Sequence, residues 1–279
     1  MVREVAKNAD LSALDSVSET LTEVGKKYGI DFNSEIKSRL LIQGGSISSN
    51  VGLFDGDAPL SQFGMGSQRL LSMGLNISAA PGEAVLLIDE IENGLEPYRL
   101  RNLINEFRLE HGVSGQIIMT THSPIVVAEC TIDELMVVHS VSGVTNAFSL
   151  KGDDLEANKS IQAEIRRNAE AFLSRRIIIC EGKTEIGFIR AVDRYIASTK
   201  NYRMAYKGVG TADGNGSSIF KCADILSSCG YDICILMDSD KDSEDTEKQR
   251  MRSAGIPVFD WDKPNAFEEQ CFIELPMQV

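Results

Sequence analysis

The chain is short of positive charge: 28 lysines and arginines stand against 41 aspartates and glutamates, for a net charge of −13 over 279 residues. That deficit argues against a generic phosphate-binding surface, because non-specific nucleic-acid affinity comes from basic side chains neutralising phosphates. It does not exclude a nuclease, since carboxylates that hold metal inflate the negative count. A DNA path must then be a local stripe, for which Arg166, Arg167, Arg175 and Arg176 are clustered, or be supplied by another chain. No apolar run reaches transmembrane length, and the N-terminus lacks the charged-then-apolar pattern of a secretory signal. These absences predict a soluble cytoplasmic protein with no membrane partner. The six cysteines include no CxxC pair and sit mostly in apolar runs, which predicts buried, reduced thiols. Internal repeats and low-complexity tracts are also missing. At this length the chain has room for one large domain or two ordinary ones.

What the chain does have is a pair of apolar, β-branched runs that stop abruptly at acids: IIICEGKTE over 177–185 and ICILMDSD over 233–240. Short, uniformly apolar runs alternating with helical segments predict buried strands of a parallel sheet. Groups just past the carboxyl ends of such strands converge on one crevice. Glu181, Glu185, Asp238 and Asp240 would meet there. Four carboxylates share a small site only when cations neutralise them, and hard oxygen donors favour Mg²⁺ or Mn²⁺. The EF-hand spacing is not met in DSDKDSED, because Ser243 stands where glycine is needed.

Along the chain, residues 11–28 have helical spacing that ends at Gly29, and 38–63 read as a hairpin leading into FGMGSQRLL. Residues 69–78 are predicted helical, 84–90 (AVLLIDE) a buried strand, 97–110 a helix, and 116–122 (QIIMTTH) and 135–140 (LMVVHS) strands. A polar helical connector follows. The second half then reads as strand, helix 186–199, short strand 203–208, glycine-rich loop 208–217, helix 218–229, strand 233–238, acidic loop, helix and strand 256–261. This alternation predicts α/β architecture.

The first half carries its own constellation. LLIDE ends an apolar strand in two acids. Asp89 is placed to hold Mg²⁺ and Glu90 to polarise an attacking water. In IIMTTHSP, His122 ends the next strand, within reach of a γ-phosphate. GMGSQR puts Gly64, Gly66, Ser67 and Gln68 at a helix N-terminus, which offers free N–H groups to an anion.

In this order the segments are similar to ABC-type ATPase domains of the structural-maintenance and OLD (overcoming lysogenization defect) families. FGMGSQRLL resembles the signature motif, LLIDE the Walker B motif, NGLEP the D-loop and TTHSP the H-loop, together spanning about residues 35–130. One element of the family is missing: no G-x-x-x-x-G-K-[ST] occurs anywhere, and the single Gly-Lys-Thr, at 182–184, follows Glu181 and has Ile177 where the first glycine belongs. The chain therefore resembles the C-terminal lobe of such an ATPase. A truncated gene, or a split system in which a partner chain carries the Walker A lobe, would explain this. ATP with Mg²⁺ becomes a cofactor only then, and the chain alone is not expected to turn ATP over. Because ABC dimers apply one subunit's signature motif to ATP on the other, the resemblance also implies homo-oligomerisation through this lobe.

CEGKTE followed by DSD, with KGVGTADGNGSS between them, looks like the Toprim domain shared by topoisomerases, primases, recombination proteins and OLD-family nucleases. The resemblance implies that Glu181 is a metal ligand or general acid/base, that Glu185, Asp238 and Asp240 are metal ligands, and that Ser239 orients a water or phosphate. Two ions about 4 Å apart would clamp the oxygens of an in-line phosphodiester displacement. A further acid lies downstream in nuclease members, for which Glu268 is the candidate and Glu269 its rival. No lysine follows Lys263, which implies that the family's catalytic lysine lies beyond Val279, with Lys183 an electrostatic substitute.

An ATPase lobe at 1–150, a helical connector at 151–173 and a Toprim domain at 174–279 together resemble the OLD family. The resemblance implies a metal-dependent DNA endonuclease governed by an ATPase-type module, in anti-phage defence or DNA processing. A non-catalytic DNA-binding assembly module is the alternative reading. A primase or topoisomerase fragment is disfavoured, because those enzymes do not carry DEIENGLEP and TTHSP.

Overall fold

In this computed structural model, residues 10–43, 46–79, 84–110, 115–239, 242–261 and 265–274 are described, and the chain divides into two compact units at Val126/Val127. In the first unit, Asp15–Lys27 (α1) turns Leu21 and Val24 into the core and stops at Gly29, whose φ of 71° no continuing helix adopts. Ile36–Gln43 (β1), Ser46–Asp55 (β2) and Ala58–Pro59 (β3) form an antiparallel sheet in that order. It leads into Met65–Ala79 (α2), the helix that the FGMGSQRLL pattern predicts. Val85–Ile88 (β4) and Gln116–Met119 (β5) pair in parallel, joined by Pro97–Glu110 (α3), which buries Leu100, Leu103, Ile104 and Phe107.

One expectation fails here. The AVLLI run forms a strand, but the strand is not buried. Only Ile88 is enclosed, while Val85 and Leu87 are 58% and 72% exposed and Ile118 on β5 is 49% exposed. A buried parallel strand needs neighbours on both edges and cover on both faces. This sheet has two strands and, among the described residues, one bare face.

Pro124–Glu129 (α4) spans the division into the second unit, which continues through the hairpin of Met136–Val141 (β6) and Val144–Ser149 (β7). The sequence extends the ATPase-type segment to residue 150. The second unit nevertheless begins at Val127, because Val127, Ile132 and Leu150 join the same apolar core as Ile177 and Ile179. Leu155–Arg167 (α5) follows, capped by the Asp154 carboxylate, which accepts the Ala157 N–H at 2.8 Å.

The centre of this unit is a parallel sheet of Arg176–Cys180 (β8), Val209–Asp213 (β9), Asp232–Leu236 (β10) and Val258–Phe259 (β11), in the order β11-β10-β8-β9. Lys183–Lys200 (α6), Ile219–Ser228 (α7), Asp245–Ser253 (α8) and Phe267–Glu274 (α9) accompany it. Ile177, Ile179, Ile233 and Ile235 are buried, as the continuous runs predict. The strand predicted over 203–208 lies later: Met204–Lys207 is a 3-10 turn, and the strand occupies the stretch whose glycines suggest a loop. Those glycines serve close packing. A Cβ on Gly210 would fall 2.1 Å from the Ser174 hydroxyl, so only glycine lets β9 lie against that loop.

Candidate metal centre

Because β8, β9, β10 and β11 run in parallel, their carboxyl ends open on one edge of the sheet, and each is followed or ended by an acid: Asp213 on β9, Glu181 after β8, Asp238 after β10 and Asp260 after β11. The two outer acids are held in ion pairs. Asp213 meets the Lys183 ammonium at 2.8 Å, and Asp260 meets Arg252 at 2.5 Å and Lys248 at 3.5 Å. The two inner acids lie at the ends of adjacent strands. The Asp238 N–H donates to Glu181 Oε2 at 2.9 Å, while the Glu181 N–H donates to the Leu236 carbonyl at 3.0 Å.

Glu185 stands one turn into α6. It is buried, and its Oε2 accepts the Gly182 N–H at 2.7 Å, closing the helix N-terminus onto the same crevice. Cys180 reports on this crowding. Burial, then the charges of Glu185, Cys234 and Asp213, push its thiol up to about 12, which leaves it unreactive. All six cysteines are free thiols and four are buried, as their apolar settings predict. The phenyl rings of Phe188 and Phe267 meet at 5.0 Å and dock α9 beside α6. Burial, followed by the charges of Glu268, Glu274 and Glu185, raises the Cys271 thiol above its ordinary value. The rival Glu269 instead accepts the Ala266 N–H at 3.3 Å as a helix-start bond.

Asp240 lies outside the described residues. Among the described residues, no three His, Cys, Asp or Glu side chains are gathered closely enough to hold one ion. The donor chemistry nevertheless fits a hard divalent cation: Glu181, Asp238 and Glu185 are all oxygen donors at one strand-end crevice. Ser239 is buried and lies 3.4 Å from the Lys248 ammonium.

Two residues here escape the sequence reading. Asp213 could have been found had the strand been placed at 209–213, for it is then a third acid at a strand end. Its carboxyl sits below its ordinary value: partial burial raises it, but hydrogen bonds from Lys183 and the Asn215 N–H, with the charges of Lys183 and Arg167, outweigh that. Asn168 clamps the same strand end, accepting the Asp213 N–H at 2.8 Å and donating to its carbonyl at 3.0 Å. Lys248 is the second. Its side chain is 2% exposed, and its ammonium donates to the Asp238 carbonyl at 2.7 Å. No periodicity marks a lysine in the middle of so polar a helix as buried. Lys183, the expected substitute cation, is committed to Asp213.

In the first unit, Asp89 and Glu90 follow β4 as predicted. The Thr120 hydroxyl donates to Asp89 Oδ1 at 2.5 Å and accepts the Glu90 N–H at 2.9 Å. Glu90 takes a positive φ of 48°, an uncommon backbone region for a non-glycine residue and one that clusters at functional turns. Arg69, on α2, donates to the Asp89 and Glu90 carbonyls at 2.8 and 2.7 Å and fixes that turn. Gly66 approaches the D-loop segment so closely that a Cβ would fall 2.4 Å from the Gly94 carbonyl. Ser67 accepts from Arg99 at 2.9 Å, and Gln68 donates to the Ser61 and Phe63 carbonyls at 2.9 and 2.7 Å. Ser67 and Gln68 therefore hold the local turn together, while Gly64 is exposed at the helix start. His122 is exposed, and its N–H donates to Glu92 Oε1 at 2.5 Å. Glu92 sits below its ordinary value, because bonds from Thr121 and His122 and the His122 charge outweigh the desolvation that raises it.

Residues 8–128 match the family described as an AAA domain, putative AbiEii toxin of a type IV toxin–antitoxin system. Residues 172–240 match the overcoming lysogenization defect protein-like TOPRIM domain. No curated protein matches the chain. Among solved structures, an Smc head bound to the C-terminal winged-helix domain of ScpA is similar at 17% identity and a TM-score of 0.35, covering 54% of this chain and 47% of that one. A second, an Smc head with an extended coiled coil bound to the C-terminal domain of ScpA, derived from Pyrococcus furiosus, gives 17% and 0.35 over 59% and 42%. The chain spans under half the length of either structure.

Proposed function

For a chain with OLD-family architecture, an ATPase-type lobe followed by a Toprim domain, we propose that the second unit hydrolyses DNA phosphodiester bonds with the help of Mg²⁺ or Mn²⁺. The observation that carries this reading is the side-by-side placement of Glu181 and Asp238 at adjacent strand ends. Glu181, Asp238 and Glu185 would hold a pair of ions, with Asp240 and Glu268 completing the donor set. When bound, a divalent ion supplies charge neutralisation at the phosphate and a water acidic enough to attack. Glu181 is the residue to move a proton at the leaving oxygen. Lys248 holds the Asp238 carbonyl and so fixes the backbone that carries this acid.

The first unit supplies control. Asp89, Glu90 and His122 are laid out for ATP with Mg²⁺ once a phosphate-binding loop is supplied, by a partner chain or by sequence outside these residues. Gly64, at the exposed helix start, would face nucleotide on a second copy while the buried Gly66 packs the turn behind it, so the working form is a homo-oligomer. No described helix is long and apolar enough to cross a membrane. Within a cell, the reading extends to anti-phage defence or DNA processing in the cytoplasm.

A non-catalytic assembly module is the second reading, favoured by the lack of three converging metal-ligating side chains among the described residues. Supercoiled plasmid separates the two. The nuclease reading expects nicking or linearisation with Mg²⁺ or Mn²⁺, none in EDTA, and a loss of orders of magnitude in Glu181→Ala. Cleavage that persists in EDTA or survives that substitution would place the catalytic centre elsewhere.

A further inference from the structure

The acidic balance of the chain makes its unpaired cations informative. Many described cations have acids to hold: Arg39 pairs with Asp57, Arg99 with Glu96, Arg250 with Asp224 and Glu247, and Arg252 with Asp260. The arginine cluster suggested by the sequence is partly spent in this way, because Arg167 pairs with Glu164 and Arg176 with Asp232.

The last three turns of α6 and the 3-10 turn after it behave differently. Residues 190–207 carry Arg190, Arg194, Lys200, Arg203 and Lys207 against Asp193 alone, +5 − 1 = +4 in a chain of net −13. All five cations are exposed, and among the described residues none forms an ion pair. The one acid is turned inward, where its carboxylate accepts the Met204 N–H at 2.7 Å and shapes the turn. Arg194, Asn201, Tyr202, Arg203 and Tyr206 line an open cleft of about 250 Å³. The Tyr202 and Tyr206 rings stand perpendicular at 6.2 Å, and Tyr206 and the neighbouring Tyr195 are 66% and 68% exposed. Tyr28 and Tyr231, by contrast, are buried.

We propose that this cleft is a binding site for single-stranded nucleic acid, with Arg194 and Arg203 on phosphates and Tyr206 under a base. Cations beside accessible aromatic faces are the combination that holds a strand without reading its sequence. The cleft lies about 17 Å along α6 from Lys183, so it would hold strand flanking the crevice rather than the scissile bond. The proposal rests on a polynucleotide substrate for this unit but not on its hydrolysis.

The test is anisotropy of a fluorescent oligothymidylate titrated with the full chain in EDTA over a salt series. Arg194→Glu/Arg203→Glu should weaken binding at least about tenfold and flatten the salt slope by about 1.4, the value for two phosphates on a single strand. Tyr206→Ala should weaken it about fivefold or more with the slope unchanged. All these side chains are exposed, so melting should match the unsubstituted chain, as should any Mn²⁺-induced shift. Equal affinity in the double variant, an unchanged slope, or polyglutamate competing as well as DNA would overturn the proposal, the last pointing to an acidic polypeptide instead. If the chain binds the strand but cleaves nothing, the cleft stands and the nuclease reading falls.

Discussion

Two parallel sheets are built here from runs that look alike on paper. VLLI forms β4 and RIIIC forms β8, yet Leu87 is 72% exposed whereas Ile179 is fully buried. Composition is not the difference. β8 has β9 and β10 on either edge and helices beside it, while β4, among the described residues, has only β5. An apolar run therefore encodes the capacity to be buried in a parallel sheet, and its neighbours decide whether that happens. The same contrast separates the two acid sets. Around β8, four parallel strand ends each carry an acid on one edge of the sheet. Around β4, Asp89 and Glu90 hang on a single strand end, tied to Thr120 and Arg69.

The contrast can be broken by substitution. Ile179→Asp puts an uncompensated carboxylate into the closed core and should abolish the cooperative urea transition of the second unit. Leu87→Asp, at the open face, should leave the first unit's transition within about 0.5 kcal/mol of its starting value. If Leu87→Asp proves comparably damaging, the β4–β5 face is covered in solution. Lys248→Met comes next. It removes the buried cation between Asp238 and Asp260, and a cost of about 3–5 kcal/mol is expected in urea unfolding, reduced to the extent that Arg252 retains Asp260. A cost near zero would mean the lysine does not pin that turn.

The smallest effect is in acid. Because the Asp213 carboxyl sits below its ordinary value of 3.8, it adds stability at pH above that value and loses it as pH falls through the lower folded value. Lys183 is 82% exposed, so screening keeps the contribution under about 1 kcal/mol. Asp213→Asn should flatten the acid limb of the second unit's stability profile, and an unchanged acid limb would mean that the Lys183 pair adds nothing.

Much of this was legible in the sequence, for reasons that follow from the same comparison. The IIIC and ICIL runs, each stopped by an acid, announce parallel strands because full burial removes any need for alternation. FGMGSQRLL and NGLEP announce a helix start and a turn because glycine and capping residues act locally. The rest was set by tertiary contacts. The glycines of β9 look like a loop until Ser174 is seen against Gly210. Lys248 looks like a solvated residue until Asp260 is brought beside it by β11. The exposure of β4 cannot be read from β4, because it depends on what packs beside it.

The central claim is that Glu181 and Asp238 form the heart of a metal site rather than a structural acid pair. Thermal melting of the full chain with and without Mn²⁺ tests it most directly, because an ion that binds only the folded state adds about 2.7 kcal/mol at a hundredfold excess over its dissociation constant. The account predicts a clear upward shift of the second unit's transition in the intact chain and none in Glu181→Gln/Asp238→Asn. No shift in the intact chain, or an equal shift in the double variant, would contradict it.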